Sequence, residues 1–322
     1  MPNAPSSGLP NPASYTNLGN GTVRDNITCL IWQGTEGTPA ASTFGVTMPD
    51  TMANNLTYCA GLASSGYAGI SDWRVPTRVE VASLVDYTKT SGQVINSVFA
   101  WTKGLTTQTY DRTYSLWYET IAGISKAGNI GWVYNLTAGT YAGGGGLTSN
   151  DFLETSTANV RCVSGNGTGE TENEQAVEPP NHYTVNSGEV TDNYTGLIWQ
   201  QGDSSSGGGA QFAWSSAAPY CAGLNLNGQT WRVPSLNELA TLVDEATVQP
   251  AVNTTVFPGT HPTSSDSGCM NDGLPTWYWA SEPLATETTA DWGIDFCDGY
   301  TGANNATTGW NAYTTGWVKC VR

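Results

Sequence analysis

The residues best suited to recognition chemistry lie near the carboxyl end of the chain. From Tyr300 to Tyr313 the sequence places aromatic rings beside Asn amides, in a segment otherwise made of Thr, Gly and Ala. Aromatic rings supply large, rigid contact areas and amides supply adaptable hydrogen bonds, a combination that antibody paratopes use. We therefore predict a binding site for a glycan or a protein at Tyr300, Asn304, Asn305, Trp310, Asn311 and Tyr313. The alternative is an ordered surface loop that binds nothing.

Oxygen-bearing side chains in the same region are of the kind that Ca²⁺ prefers. The candidate donors are Asp291, Asp295, Asp298, Asn304 and Asn305. Their spacing is not that of an EF-hand loop, so we expect no cofactor, with a calcium ion at Asp295 and Asp298 as the alternative. His182 and His261 lie in Pro-rich loops and do not show the spacing of zinc ligands.

The sequence lacks the motifs of common enzymes. It contains no Gly-X-Ser-X-Gly nucleophile elbow and no phosphate-binding loop. Glu80 and Glu238 are candidates for catalytic acids, but each follows a Thr or Ser by three residues. This spacing forms a capping box, in which the glutamate hydrogen-bonds to the backbone at the start of a helix. We therefore expect a protein that is not an enzyme.

Four sequence blocks occur twice in the same order, so the chain is a tandem repeat. The longest, Val23–Gln33, recurs as Val190–Gln200 with eight of eleven residues identical. The other blocks are Tyr58–Leu62 with Tyr220–Leu224, Trp73–Thr77 with Trp231–Ser235, and Val160–Val163 with Val318–Val321. We predict an extended tail over residues 1–20, a domain over 21–164, a linker over 165–181 and a second domain over 182–322. Residues shared by both copies should hold the fold, and function should lie where the copies differ.

Each copy predicts an α+β domain made of one strand, two helices and a β meander. The apolar run at Leu197–Trp199 indicates the strand, and the i, i+4 spacing of apolar residues over 212–224 indicates the first helix. The second helix begins at the capping box. Short aromatic runs between Gly, Thr and Asn clusters then indicate strands. The tryptophans present in both copies should be core residues, which are Trp32, Trp73, Trp199 and Trp231.

Cysteines at equivalent positions of the two copies indicate disulfides. We predict bonds between the first helix and the last strand of each domain, Cys59–Cys162 and Cys221–Cys320, with four buried thiols as the alternative. Disulfides form in oxidising compartments, so we expect an extracellular or cell-surface location. The first residues lack the basic and apolar regions of a signal peptide, so we expect this sequence to be a mature or trimmed form if the protein is exported.

The charge balance excludes whole classes of partner. Only 12% of residues are charged and the formal net charge is -16, with 11 Lys plus Arg against 27 Asp plus Glu. Nucleic acids and anionic membranes are bound through Lys and Arg, so this protein should bind neither. No apolar run approaches the length of a membrane-spanning helix, so we expect no direct membrane insertion.

Together these blocks resemble the Lcl C-terminal domain family, the globular ends of bacterial collagen-like adhesins. The residues that carry the resemblance are Asp192–Gln200, Tyr220–Leu224, Trp231–Leu239, Tyr278–Ser281 and Val318–Arg322, and all of these except Tyr278–Ser281 have counterparts in the first copy. The resemblance covers nearly the whole chain apart from the tail and the linker. It implies a C-type-lectin-like fold, secretion or surface display, and ligand binding or adhesion without known chemistry.

Two features depart from the family pattern. The adhesin is linked to sulfated polysaccharides and trimerises through a collagen stalk, whereas this sequence has no Gly-X-Y repeat and an acidic composition. Cys29 replaces the glycine that the second copy retains as Gly196. If Cys269 pairs with Cys297, Cys29 is left over, either for an intermolecular disulfide or as a buried thiol.

Our leading expectation is a protein that recognises a glycan or protein ligand through variable loops. The competing hypothesis is a self-assembling structural subunit of an extracellular filament or surface layer. The weakly charged surface, Cys29 and the N-terminal tail favour this second hypothesis.

Overall fold

The protein is described by a computed structural model. The structure describes residues 1–35, 43, 52–90, 92–100, 112–118, 130–135, 137–138, 148–153, 160–165, 181–206, 210–244, 247, 250–261, 276–284, 290–297, 299–305 and 314–322. The chain divides into two compact units, Met1–Gln175 and Ala176–Arg322. The predicted linker falls outside the described residues except at its two ends, Gly165 and Asn181.

The first unit combines helices with small antiparallel sheets. Its elements are β1 (Tyr15–Asn17), β2 (Thr22–Asp25), β3 (Ile31–Gln33), α1 (Met52–Ser65), a 3-10 turn (Tyr67–Gly69), α2 (Arg78–Leu84), β4 (Gly92–Gln93), β5 (Arg112–Tyr118), β6 (Ile130–Asn135), β7 (Thr137–Ala138), β8 (Thr148–Leu153) and β9 (Val163–Ser164). The described residues of this unit form three sheets, with strand orders β1-β2-β3-β9, β4-β7 and β5-β6-β8. The final short strand therefore returns to pair with β3.

The N-terminal segment is part of the first unit, which corrects the expectation of an extended tail. Tyr15 to Asn17 pair with β2 in the four-stranded sheet. Asn3 and Ala4 are buried, and the hydroxyl groups of Ser6 and Thr88 lie 2.9 Å apart. The sequence reading missed this strand because the segment carries few apolar residues to mark it.

The second unit also combines helices with small antiparallel sheets. Its elements are β10 (Tyr183–Asn186), β11 (Glu189–Asp192), β12 (Ile198–Gln200), α3 (Trp214–Gly223), α4 (Leu236–Ala240), β13 (Trp277–Pro283), β14 (Ala290–Asp295) and β15 (Tyr300–Asn305). Within the described part of this unit, these strands form two sheets, β10-β11-β12 and β13-β14-β15. Among the described residues of both units, no helix is long and apolar enough to cross a membrane.

The tryptophans shared by both copies are core residues, as predicted. Trp32, Trp73, Trp199 and Trp231 are each at most 2% exposed. Disulfides Cys59–Cys162 and Cys221–Cys320 join the first helix of each unit to its last segment, which confirms that pairing. Cys297 is also disulfide-bonded, while its predicted partner, Cys269, lies outside the described residues.

A glutamine side chain explains why the strand block and the first-helix block recur together. In the first unit Gln33 donates to the Tyr58 hydroxyl at 2.8 Å and accepts from the backbone N–H of Cys162 at 2.7 Å. In the second unit Gln200 makes the same bonds to Tyr220 and Cys320. One amide therefore connects strand, helix and terminal segment in each copy.

Both predicted capping boxes form, and each contains an ion pair that the sequence reading missed. The Thr77 hydroxyl accepts from the N–H of Glu80, whose carboxylate accepts from the N–H of Thr77. The same carboxylate receives two hydrogen bonds from Arg74, at 2.6 and 2.8 Å. The glutamate therefore serves the helix start and the arginine together, which supports its structural role.

We predict that Arg74→Leu destabilises the first unit much more than Lys89→Leu. Arg74 pairs with a Glu80 carboxylate whose side chain is 4% exposed, and removing one partner of a buried pair costs about 3–5 kcal/mol. Lys89 lies 4.0 Å from Asp86 and is 48% exposed, so its loss should change the unfolding free energy by less than about 1 kcal/mol. Urea denaturation of both variants measures the difference, and equal losses would contradict the structural role of the pair.

Candidate functional site

The predicted ligand-binding segment is described only in part. Tyr300 begins β15 and is partly buried, packed against the core cluster of the second unit. Its ring lies across Gly302, where an added Cβ would be 2.5 Å from the tyrosine Cε1. Asn304 and Asn305 end the same strand. Trp310, Asn311 and Tyr313 lie outside the described residues, so their role remains a prediction.

Trp317, which follows this segment in the chain, forms a stacked aromatic pair with His261, which precedes the segment. The rings of His261 and Trp317 are parallel within 8°, with centroids 4.0 Å apart. Both side chains are partly exposed. Trp317 is held by its backbone, which donates to the carbonyl of Trp277 at 2.8 Å and accepts from the N–H of Trp279 at 3.1 Å.

Buried polar groups fix the histidine end of the pair. The backbone N–H of His261 donates to the Tyr278 hydroxyl at 2.9 Å. That hydroxyl in turn donates to the carboxylate of Asp203, which is 1% exposed. Asp203 also accepts from the N–H and the hydroxyl of Ser205, at 2.8 and 2.5 Å. The stacked pair therefore rests on an ordered hydrogen-bond network and needs little reorganisation to present its surface.

A buried lysine supports the turn that carries Asp203. Lys319 is fully buried and its Nζ donates to the carbonyls of Gln201 and Gly202, at 3.2 and 2.6 Å. The ammonium lies 4.9 Å from the centre of the Phe257 ring, a cation–π distance. Burial lowers the pKa of Lys319 to about 8, while the nearby Asp203 opposes this effect.

The first unit builds a similar support from a different cation. Arg161, equivalent to Lys319, is fully buried and donates to the carbonyls of Gln33 and Ala100, at 2.6 and 3.0 Å. Its guanidinium lies 5.2 Å from the centre of the Phe99 ring. A buried cation over a phenylalanine is therefore part of the fold.

The stacked pair, in contrast, is specific to the second copy. Trp317 precedes the repeated closing block, and Asn159 occupies the equivalent position of the first copy. His261 similarly aligns with Lys103. Trp317 was not predicted, because it lies outside the variable segment Tyr300–Tyr313 and directly before the repeated block. A position-by-position comparison of the copies would have found it.

Of the candidate calcium donors, the structure describes the side chains of Asp291 and Asp295, which are separated along one strand. Asp291 pairs with Asn304 across β14 and β15, whereas Asp295 lies four residues further along, about 13 Å in an extended strand. Asp295 Oδ1 already accepts from the Thr276 hydroxyl and from the N–H of Cys297. Asp298 lies outside the described residues. Within the described part of the chain, no three His, Cys, Asp or Glu side chains are grouped as metal ligands.

A buried carboxyl group lies beside α4. Glu282 is 5% exposed, and its Oε2 accepts from the N–H of Leu236 at 3.0 Å and from the Ser281 hydroxyl at 3.1 Å. Burial raises the pKa of Glu282 to about 7, and the neighbouring Glu238 adds to this effect. Glu282 therefore holds the start of a helix from within the core.

Cys29 is a free and exposed thiol, so the alternative of a buried thiol is wrong. Its backbone is in the left-handed region, with φ 63°, and the equivalent Gly196 has φ 74°. Glycine adopts this conformation without steric cost, whereas cysteine does not. The Cys29 Sγ accepts a hydrogen bond from the Arg24 guanidinium at 3.7 Å. Nothing in the turn geometry requires a cysteine.

Comparison with known proteins identifies one family. The sequence model of one protein family, the Lcl C-terminal domain, matches residues 21–164 and again residues 188–322. No curated protein and no solved structure matches the chain.

The Glu282 carboxyl makes the stability of the second unit depend on pH. In the folded unit the Glu282 carboxyl retains its proton up to about pH 7. In the unfolded chain the same carboxyl loses its proton near the usual pKa of 4.5. Stability is therefore fully present below pH 4.5 and falls as the pH rises to about 7. Burial also raises the pKa of Asp291, to about 6, so the fall between pH 6 and 7 is the part that Glu282 governs.

We predict that Glu282→Gln reduces the loss of stability of the second unit between pH 6 and 7. Hydrogen exchange of the amides in 236–240 and 277–283, measured over that range, reports local stability. Glu189→Gln is the control, because Glu189 belongs to β11 and pairs with Arg322 at 2.8 Å. An equally steep fall in Glu282→Gln would contradict the assignment.

Proposed function

Since the chain belongs to the Lcl C-terminal domain family, of which it carries two tandem copies, we propose that it is an extracellular or cell-surface protein for ligand binding or adhesion. The ligand is a glycan or a protein. The second domain binds it at the surface around the His261–Trp317 pair, together with the adjoining segment from Tyr300 to Tyr313.

The stacked pair is the observation that carries this proposal. It offers partly exposed aromatic surface, it is supported by the network through Tyr278 and Asp203, and the first copy has no equivalent rings at these positions. Aromatic residues held on a rigid support are typical of binding hot spots, since little conformational entropy is lost on binding.

The location and fold are part of the same proposal. The disulfides indicate folding in an oxidising compartment, which supports export. The link from first helix to terminal segment, repeated in both units, supports a C-type-lectin-like arrangement. We propose binding without catalysis and without a cofactor, because Asp203, Asp295 and Glu282 are all engaged in structural hydrogen bonds.

We predict that Trp317→Ala weakens ligand binding by at least about tenfold, since hot-spot truncations typically cost 2 kcal/mol or more. Screening the whole protein on glycan arrays and on arrays of extracellular proteins, with and without EDTA, identifies the ligand. Tyr194→Ala is the matched control because it removes another exposed aromatic side chain of the same unit. Binding that survives Trp317→Ala, or that EDTA abolishes, would refute this site or its independence of metal.

A second candidate function is self-assembly into an extracellular polymer. The exposed Cys29 thiol favours it, since an unpaired exposed cysteine in a disulfide-bonded chain is available for an intermolecular bond. Residues 15–17 pair with β2 in the sheet. This pairing argues against the N-terminal segment as a free tail that reaches a neighbouring molecule.

We predict that light scattering detects covalent dimers of the wild-type protein that disappear with reductant and in Cys29→Ser. Cys29→Gly is the companion variant, because it also lacks the thiol and restores the residue that the second copy has at φ 74°. A monomer under oxidising conditions would exclude linkage through Cys29 and leave ligand binding as the function.

A further inference from the structure

A polar surface adjoins the stacked pair on the segment that carries Trp317. This segment lies between two others, because Gly316 forms an antiparallel bridge with Phe212 and Trp317 forms a parallel bridge with Tyr278. Residues next to an antiparallel bridge also lie across from one another, so Gln211 faces Trp317. Residues at such opposite positions have Cβ atoms about 4.5–5.5 Å apart. Gln211 is therefore a direct neighbour of Trp317.

The outer face of this segment carries Thr315 as well as Trp317. These two residues are partly exposed, whereas Gly316 and Val318 are buried. Such alternation is typical of an extended segment, in which residues two apart share a face. Gly316 packs so closely that an added Cβ would lie 2.9 Å from the carbonyl oxygen of Trp277. This close packing fixes which face of the segment points outwards.

Thr315 and Gln211 form a hydrogen-bonded pair on the outer face. The Thr315 hydroxyl donates to Oε1 of Gln211 at 2.9 Å, which orients the amide. Both side chains are partly exposed. Among the described residues no acceptor is bonded to Gln211 Nε2, and the Thr315 oxygen can still accept a hydrogen bond. Next to Trp317, the two side chains therefore offer one donor and one acceptor to a ligand.

The second domain has no free cation to bind an anionic ligand at this surface. It contains only three Lys or Arg. Arg232 makes a two-point ion pair with Glu238, at 2.6 and 2.7 Å. Arg322 donates to Glu189 at 2.8 Å, and Lys319 is fully buried. Sulfate and phosphate groups are recognised mainly by Arg and Lys, so these contacts argue against an anionic ligand.

The described side chains of the surface itself include no carboxylate, ammonium or guanidinium group. They are Gln211, His261, Thr315 and Trp317. An aromatic surface with a few precisely placed polar groups is typical of sites for small ligands. A sugar ring fits such a site, because its C–H groups form an apolar face and its hydroxyl groups both donate and accept. Neighbouring hydroxyl groups on one rigid ring are a feature of sugars, whereas no amino-acid side chain has two.

We infer that the ligand at the stacked pair is an uncharged glycan, and that Gln211 and Thr315 select it through two neighbouring hydroxyl groups of one sugar ring. One hydroxyl accepts from Gln211 Nε2 and the other donates to Thr315 Oγ1, while the sugar ring packs on Trp317. This inference rests on the proposed function. It names the class of ligand and two further residues that determine specificity.

Binding is tested first on an array, with the whole protein. The array carries uncharged oligosaccharides of hexoses, pentoses and N-acetylhexosamines, with heparin as the anionic probe, hexalysine as the cationic probe and extracellular matrix proteins as protein probes. We expect an uncharged oligosaccharide to bind and to lose binding in both Trp317→Ala and Trp317→Leu. Because no ion pair is involved, its affinity should change little as sodium chloride is raised.

Variants of the polar pair then separate its role from that of the aromatic surface. Gln211→Glu keeps an oxygen that accepts from Thr315 but lacks the N–H donor. Calorimetry with the strongest uncharged probe should therefore show binding weakened about three- to tenfold. Thr315→Val removes the hydroxyl at nearly the same volume and should weaken binding similarly, whereas Thr315→Ser keeps the hydroxyl and should bind more tightly than Thr315→Val. Gln229→Ala is the matched control, because it removes an exposed glutamine of the same unit. Circular dichroism confirms the folding of each variant.

Deoxy forms of the same probe identify the hydroxyl groups that are contacted. Removing the hydroxyl that Gln211 contacts should weaken binding to the wild type about three- to tenfold, but it should not weaken binding to Gln211→Ala further. This loss of additivity indicates direct contact, since a purely structural role of Gln211 would leave the two effects additive.

Several outcomes would overturn the inference while the proposed function stands. One is a Trp317-dependent ligand that is heparin, hexalysine or a protein. Another is an uncharged glycan whose affinity is unchanged in both Gln211→Glu and Thr315→Val. Full additivity of every deoxy form with Gln211→Ala also refutes the contact. If no probe depends on Trp317, the proposed function itself fails and the inference fails with it.

Discussion

Each unit depends on the contacts made by one short block, Trp-Arg-Val-Pro. In the second unit the backbone of Arg232 exchanges two hydrogen bonds with Val321, at 3.0 and 2.9 Å, while its side chain binds Glu238 at the start of α4. The preceding Trp231 is in the core. Because Val321 also bridges to Trp199, this block connects the first sheet, the second helix and the terminal segment. The first unit repeats these contacts through Arg74 and Val163. Loss of the ion pair would leave a buried carboxylate, which explains why Arg and Glu occur together.

These shared contacts of the Trp-Arg-Val-Pro block allow surface residues to differ between the copies while the fold stays the same. The buried cation over a phenylalanine is Arg161 in one copy and Lys319 in the other, and both donate to backbone carbonyls, among them that of Gln33 in the first copy and that of Gln201 in the second. On that support the second copy adds the His261–Trp317 pair. The three cations of the second domain are each hydrogen-bonded within it, so they contribute to its stability.

Much of the fold was predictable because the residues that indicate it lie close together in the sequence or occur at equivalent positions of the two copies. The capping boxes are defined by residues three apart, and the disulfides follow from cysteines at equivalent positions of a repeat. The strand at Tyr15–Asn17 was not predictable, since it depends on pairing with β2 rather than on its own apolar pattern. The C-terminal part of the predicted ligand segment, from Trp310 to Tyr313, remains a prediction.

The sequence by itself determined the two-domain repeat, the core tryptophans, the helix starts and the disulfide pairing of the shared cysteines. Only the tertiary structure decided that His261 stacks on Trp317, residues 56 positions apart, and that the three cations of the second domain are all engaged inside it. It also separated Asp291 from Asp295 along one strand and left Cys29 exposed. The physical reason is that helix caps are marked by residues at a fixed spacing, and the disulfides are marked by cysteines at equivalent positions of the repeat. Stacking, burial of charge and exposure depend instead on which distant backbone segments pair, and sequence spacing does not encode those distances.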